Sequence, residues 1–349
     1  MPVALGIESS CDDCSISIVR EDGKVLFLNQ KNQDQIHKKF GGVVPELASR
    51  HHGDVIFPLI DQALKTVPLS NIDCIAVTNR PGLLGSLLVG CVTAKTLSLS
   101  WKKALVGVNH IEAHIFSSLL FKKAEARKIT IEGPALAFVV SGGHSSLFYV
   151  KDIGDSLLLA ETRDDSAGEA FDKFARLLGF EWPGGSRLDK LAQTSPLGEQ
   201  FFSKIQTEDL SFSFSGIKSQ GQRLLQKKSK DWIEENKARV CADYQEKIVD
   251  HLMEKLSRAF ENQPVKQVLV GGGVSANSLF RQRLKEWSQK KSVPCYLPET
   301  EFCRDNGAMI AWTGLQYFLK GKTDDLKMPT SPRRLDKDFF KKRKKADYE

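Results

Sequence analysis

The chain has 349 residues, 41% hydrophobic and 27% charged, a balance that excludes a mostly disordered or fibrous protein and leaves room for two domains of about 100–200 residues each. Its 50 Lys and Arg against 43 Asp and Glu leave a net +7; eleven basic and six acidic residues between Lys320 and Glu349 supply +5 of that. Seven cysteines, an odd number spread along the chain, do not form a disulfide framework and fit a reducing compartment. No apolar run reaches the roughly 18–20 residues that span a bilayer. The opening MPVALGIESS reads as neither a secretory signal nor a transit peptide. The expectation is a cytoplasmic protein with no membrane partner.

Val3 to Glu8 reads as a strand, Ser9-Ser10-Cys11-Asp12-Asp13 as a polar turn, and Ser15 to Val19 as the returning strand. Cys11 and Cys14 make one CxxC with no second to complete a zinc knuckle. Small residues at the tip, which let backbone N–H groups approach a phosphate, account for the turn better. Asp73 to Thr78 is an apolar strand, followed by the turn Pro81 to Ser86 and a helix from Leu87 to about Ser100. The polar stretch Lys122 to Gly133 is the expected boundary.

Ala135 to Val140, the turn Ser141-Gly142-Gly143-His144 and Ser145 to Val150 then repeat the first hairpin. The charged segment Lys227 to Lys237, with Trp232, reads as a helix flank or linker. Gln267 to Val270, the glycine turn Gly271 to Asn277 and a helix to about Lys290 repeat the second motif. A last helix, Gly307 to about Leu319, is expected to cross back to the first half. Hairpin, helix, strand, glycine turn and helix thus occur twice. That is an α/β protein of two similar lobes, with a nucleotide cleft expected between them. The expected division is a first lobe over 1–130 with helix 307–320 packed back on it, a second lobe over 131–306, and a basic tail over 321–349. The tail, densest at Lys341-Lys342-Arg343-Lys344-Lys345, is either solvated or in contact with a polyanion such as RNA.

The sharpest local signal is His110-Ile111-Glu112-Ala113-His114. On a helix, positions i and i+4 share a face about 5–6 Å apart, so two imidazoles can share a cation; the alternative is two ordinary hydrogen-bonding histidines. A zinc protease of the HExxH type needs Glu directly after the first His, where this chain has Ile111. Asp305, just ahead of the last apolar helix, is either a third ligand or a plain helix cap. Ser141-Gly142-Gly143 offers amides to a phosphate or is merely a tight turn. The acids of Asp164 to Asp172 either hold ribose hydroxyls or complement a helix dipole. Pro183-Gly184-Gly185-Ser186, ahead of Asp189, can lie against a nucleoside.

Taken together the motifs resemble the tRNA N6-adenosine threonylcarbamoyltransferase family, formerly called O-sialoglycoprotein endopeptidases. The matching strings are GIESSCD, GGVVPELASRHH, RPGLLGSLLVG, NHIEAH, VVSGGHSSL, DDSAGEAFDK, PGG, SFSFSGIKS, GGGVSAN and EFCRDNGAMIA, in family order from Gly6 to Ala311. GGVVPELASR resembles the bacterial and mitochondrial branch. The resemblance implies an actin/Hsp70/sugar-kinase-like duplicated fold. It implies transfer of threonylcarbamoyl from threonylcarbamoyl-AMP to N6 of the adenosine 3′ of the anticodon, in tRNAs reading codons that begin with A. By family pattern His110, His114 and Asp305 hold one metal ion, iron (Fe2+) ahead of zinc. Val139, Val140, Ser141, Gly142 and Gly143 lie in the substrate stretch, and Asp172, Gly185, Asp189 and Asn277 contact the nucleotide part. Asp12 is the candidate catalytic residue. The implied partners are tRNA, a paralogue subunit of the same nucleotide-binding fold and a small ATPase. The family usually reads CDET where this chain has Cys11-Asp12-Asp13-Cys14, which removes the reach of the Glu and the hydroxyl of the Thr. The remaining readings are a metalloprotease, a small-molecule kinase of the same fold, and a non-catalytic scaffold of a tRNA-modifying complex.

Overall fold

The computed structural model describes residues 1–122, 131 and 133–333 and, as backbone alone, 340–342. In chain order it runs β1 (Val3–Glu8), β2 (Cys14–Arg20), β3 (Val25–Lys31), α1 (Asp34–His37), α2 (Pro45–Thr66), β4 (Cys74–Arg80), α3 (Leu84–Trp101), β5 (Ala104–Asn109) and α4 (His110–Phe116). There follow β6 (Ala135–Val140), β7 (Ser145–Asp152), β8 (Asp155–Glu161), α5 (Ala167–Leu177), α6 (Gly185–Ala192), α7 (Ser215–Lys227), α8 (Lys230–Asn262), β9 (Gln267–Gly271), α9 (Ser278–Lys291), β10 (Cys295–Tyr296), α10 (Gly307–Leu319) and β11 (Phe340–Lys342). Most of the expected boundary stretch after Lys122, and residues 334–339 and 343–349 of the basic tail, lie outside the described residues.

The chain folds as two compact units. The first takes Met1–Ile131, Asp152–Asp155 and Pro298–Lys341; the second is built on Glu132–Lys151 and Ser156–Leu297. Pro298 to Asn306, assigned by sequence to the second lobe, therefore cluster with the first.

The first sheet has the order β3-β2-β1-β4-β5. In it β1 runs antiparallel to β2, with Glu8 opposite Ser15, and parallel to β4, with Ile7 opposite Val77. The second sheet has the order β10-β9-β6-β7-β8, with β11 beside β8. Here β6 is antiparallel to β7, Val140 opposite Ser145, and parallel to β9, Val139 opposite Gly271. Strand for strand the orders correspond, so the duplication read in the sequence is a duplication of topology. Five strands had no counterpart in the sequence reading: β5, β10, β11 and, as the third strand of each repeat, β3 and β8. β3 is mostly half-buried and ends in the polar Asn29-Gln30-Lys31, and β8 alternates buried with half-buried residues, which blurs the apolar signal.

In the first unit Leu5, Ile7, Ile16, Ile18, Ile75 and Val77 of the sheet pack with Ile56, Leu59 and Ile60 of α2. In the second, Leu136, Phe138, Val268 and Val270 pack with Phe174, Tyr244 and Phe280, the Phe174 and Tyr244 rings stacking at 3.9 Å. Burying each such side chain contributes about 1.5–3 kcal/mol.

One open alternative is decided here, in favour of the helix flank, and one expectation changes. Ser229 Oγ accepts the Trp232 N–H at 3.2 Å and so caps α8, which makes Lys230 to Lys237 the start of a 33-residue helix rather than a linker. And α3, with 18 residues and a mean hydropathy of 1.2, is long and apolar enough to cross a membrane by length and composition, where the sequence reading found no such run. Its Leu87, Gly90, Cys91, Ala94 and Leu97 are buried, and it packs on α2 and β4.

Candidate active site

The candidate ligands come from two separate chain segments of the first unit. Strand β5 ends at Asn109, whose Oδ1 accepts the N–H groups of Ile111 at 2.9 Å and Glu112 at 3.3 Å, so α4 begins at His110. One turn later His114 lies on the same face, its ring edge-on to that of His110 with centroids 4.7 Å apart. Asp305 does not cap α10. Asn306 does: its Oδ1 accepts the Met309 N–H at 3.0 Å and its Nδ2 donates to the Arg304 carbonyl at 2.7 Å. Relieved of capping, the Asp305 carboxylate reaches Nε2 of His114 at 3.0 Å and Nε2 of His110 at 3.5 Å.

One ligand atom from each of the three residues lies within 4.8 Å of the others. Burial by itself would lower the His110 pKa, but Asp305 and Glu8 outweigh it and hold the ring well above its ordinary value. Burial likewise opposes the charge on Asp305, and His110 holds that carboxyl well below the usual range. The Nδ1 of His110 faces Glu8 Oε2 at 3.0 Å, so its Nε2 is the atom left toward Asp305. Two electron-rich atoms face each other there unless a proton or a cation lies between them. Two imidazoles and one carboxylate are the donor set of an open catalytic site, and the residues fit a metal ion.

Glu112 lies between the two histidines in sequence but not in space. It is fully buried, accepting the Gly154 N–H at 3.0 Å and the Tyr317 hydroxyl, and burial pushes its carboxyl up to about 7. A carboxyl tied down in this way is not free to serve as the base of a metalloprotease.

The turn after β1 belongs to the same unit. Asp12 is half-buried on it. Asp13 is buried 3.6 Å from the Arg304 guanidinium, which also lies 3.7 Å from Asp34. Burial pushes the Asp13 carboxyl up to about 8 against the pull of Arg304. His52 of α2 donates from Nε2 to the Cys11 carbonyl at 2.9 Å, which gives the second histidine of GGVVPELASRHH a role in holding this turn. Burial raises the Cys11 thiol and pushes Cys14 up to about 12, so both are unreactive thiols at neutral pH.

In the second unit Val139 and Val140 are buried strand residues, and Ser141 is buried beside them. Gly142 and Gly143 are exposed, with nothing within 4 Å of where a Cβ would stand. Ser166 Oγ donates to the Gly142 carbonyl at 2.6 Å and the Gly168 N–H to the Ser141 carbonyl at 3.3 Å, which seats the turn on the start of α5. Gly272, at φ +91°, stands where a Cβ would meet the Val140 carbonyl oxygen at 2.3 Å. The acids expected to bind ribose have protein partners. Asp172 Oδ1 accepts the Gly184 and Gly185 N–H groups at 2.9 and 2.8 Å. Asp189 accepts the Ser278 hydroxyl at 2.5 Å, and Asn277 caps α9 through the Phe280 N–H at 3.0 Å. Asp164 takes the Phe214 N–H at 2.8 Å and the Ser213 and Ser215 hydroxyls, while Asp165 pairs with Lys173 and Lys218. Those bonds tie SFSFSGIKS to DDSAGEAFDK. Sequence reasoning missed Glu8 and Arg304. The signal for Glu8 was a carboxylate closing an otherwise apolar strand.

A family model described as tRNA N6-adenosine threonylcarbamoyltransferase matches residues 24–312. A curated protein of that name from Bdellovibrio bacteriovorus is 42% identical over 339 residues, covering 96% of this chain and 98% of that one. Another from Syntrophus aciditrophicus is 44% identical over 327 residues, covering 93% and 95%. Among solved structures, HypF of T. kodakarensis superposes with a TM-score of 0.59 at 14% identity, covering 94% of this chain and 49% of that one. Component A of the Acidaminococcus fermentans (R)-2-hydroxyglutaryl-CoA dehydratase gives 0.52 at 13% identity, covering 92% and 100%. These likenesses concern the fold alone, and with the repeated sheet order they identify the actin/Hsp70/sugar-kinase-like duplicated α/β fold.

Proposed function

Because this chain belongs to the tRNA N6-adenosine threonylcarbamoyltransferase family, we propose that it takes the threonylcarbamoyl group from threonylcarbamoyl-AMP and that His110, His114 and Asp305 hold the metal ion the reaction uses. The family's reaction is an acyl transfer to N6 of an adenosine in tRNA, and the chain is an acyltransferase of that kind. The acceptor proposed is the adenosine 3′ of the anticodon in tRNAs reading codons that begin with A, and the proposed compartment is the cytoplasm.

One observation carries the metal assignment: capping by Asn306 leaves Asp305 free to meet both histidines. Two histidines and one carboxylate with open positions suit a catalytic iron or zinc ion alike, and iron (Fe2+) is put ahead of zinc by the family resemblance. Bound there, the ion supplies a Lewis acid that orients the donor and polarises its carbonyl. The chain's own residues do the rest. The exposed Gly142 and Gly143 offer backbone N–H groups to phosphate oxygens, and Asp172, Gly185, Asp189 and Asn277 border the nucleoside. N6 attacks the carbamoyl carbon, the bond from that carbon to the phosphate oxygen breaks, and AMP leaves with the electron pair. The proton lost from N6 is assigned to the Asp12 carboxylate. The donor is already an activated mixed anhydride, so positioning and charge stabilisation suffice. A paralogue of the same nucleotide-binding fold and a small ATPase complete the proposed assembly.

The test is single-turnover transfer from synthetic threonylcarbamoyl-AMP to unmodified tRNA by the metal-loaded protein, with and without those partners, read by mass spectrometry of the tRNA nucleosides. The reading expects the modified adenosine. Unmodified nucleosides under every condition would overturn it.

A further inference from the structure

Glu8 closes β1 as a carboxylate with no exposed surface. A charge buried this deeply is costly unless every lone pair is engaged, so its contacts report what it is for. Its Oε1 accepts the Ser10 N–H at 2.6 Å and its Oε2 accepts the Thr78 hydroxyl at 2.6 Å, which pins both oxygens. The same Oε2 lies 3.0 Å from Nδ1 of His110, with Ser10 Oγ at 3.2 Å from that nitrogen. In the neutral ring that a metal ion needs, Nδ1 is therefore the nitrogen that carries the proton, and Nε2 is left as the lone-pair atom on the side of Asp305. His114 has no such arrangement: its Nδ1 is buried without a partner among the described residues.

We propose that Glu8 is the positioning residue of the metal centre, fixing the ring orientation and tautomer of His110 so that Nε2 is the ligand, and that the two histidines are consequently unequal ligands. The inference rests on the metal reading of His110, His114 and Asp305. Carboxylates behind metal-bound histidines raise the basicity of the ligand and usually account for about 10–100-fold in metal affinity. Thr78, at the end of the parallel strand β4, and Ser10, on the turn after β1, hold Glu8 as it holds His110. The three strand ends of one sheet are thereby linked to the site.

The experiment is competition for Zn2+ between the full-length chain and a chromophoric chelator, for wild type, Glu8→Gln and His114→Ala, with metal-free melting temperatures measured alongside. Glu8→Gln is expected to bind Zn2+ about 10–100-fold more weakly at an almost unchanged melting temperature. Wild-type affinity in Glu8→Gln, with binding lost in His114→Ala, overturns the role of Glu8 and leaves the metal reading standing. Wild-type affinity in His114→Ala overturns the metal reading and the proposal with it. Should Glu8→Gln fail to fold, long-range 1H–15N spectra of the Zn2+-loaded wild type decide the matter. A protonated Nδ1 on His110 supports the proposal, and a protonated Nε2 overturns it.

Discussion

Gly6 and Gly307 meet backbone to backbone: a Cβ on Gly6 would stand 2.2 Å from the Gly307 carbonyl oxygen, and one on Gly307 would stand 3.0 Å from that of Gly6. The contact seats α10 on β1, and the residue two places before Gly307 is Asp305. Packing at this point therefore sets where a candidate ligand lies. Gly6→Ala is expected to lower stability by about 3 kcal/mol, because the added methyl meets the Gly307 carbonyl and the backbone N and Cβ of Ala311, none of which can swing aside. Urea unfolding measures the loss, and a change within about 0.5 kcal/mol would show that the two elements move apart freely.

The cap at Asn306 is the second test. Its side chain is fully buried and bonds at both ends. Asn306→Ala is expected to cost about 1–2 kcal/mol and to weaken Zn2+ binding as well, since the Asp305 loop loses its anchor. Lower stability with unchanged metal affinity would separate the cap from the site.

His114→Ala removes a ligand whose Nε2 lies 3.0 Å from Asp305. Transfer to tRNA is expected to fall to background while circular dichroism stays that of the wild type. Elemental analysis finding full metal occupancy in this variant would contradict the assignment.

His251 sets an acid limit on the second unit. It is buried edge-on against the rings of Phe212 and Phe214, and burial, reinforced by Lys255, lowers its pKa from 6.5 to about 4. The unfolded chain therefore takes up a proton below pH 6.5 that the folded chain resists. The stability associated with this neutral ring is fully present above pH 6.5 and is lost as the pH falls toward 4, up to about 3 kcal/mol. Unfolding at pH 7, 5.5 and 4.5 should show a smaller acid loss in His251→Leu than in wild type. Parallel losses would assign the acid sensitivity elsewhere.

The basic run Lys341 to Lys345 is tested by its charge. Deleting residues 341–349 is expected to weaken tRNA binding and to flatten its salt dependence, by nearly one unit of slope per lost phosphate contact. Identical slopes with and without the nine residues would put the tRNA footprint elsewhere.

Local pattern was enough for much of this protein. Apolar runs marked β1, β6, β9 and α10 to within a residue, and the repeated order of hairpin, strand, glycine turn and helix announced the duplicated sheet. The i, i+4 spacing alone set His110 and His114 on one face of α4. What local pattern does not hold is which of several adjacent polar residues performs which task. Asp305 and Asn306 are both good helix caps by type, and only the folded backbone decided that Asn306 takes the N–H of Met309 while Asp305 turns to His114. Asp164, Asp172 and Asp189 look alike as acids, yet each is committed to N–H or hydroxyl groups distant in sequence. Glu8 stood out in the sequence only as a carboxylate closing an apolar strand, and its role stayed hidden because its partners Thr78 and His110 lie 70 and 102 residues away. Hydrogen bonding is directional and short-ranged, so the role of a buried polar group is assigned only when the chain brings its partners within about 3 Å.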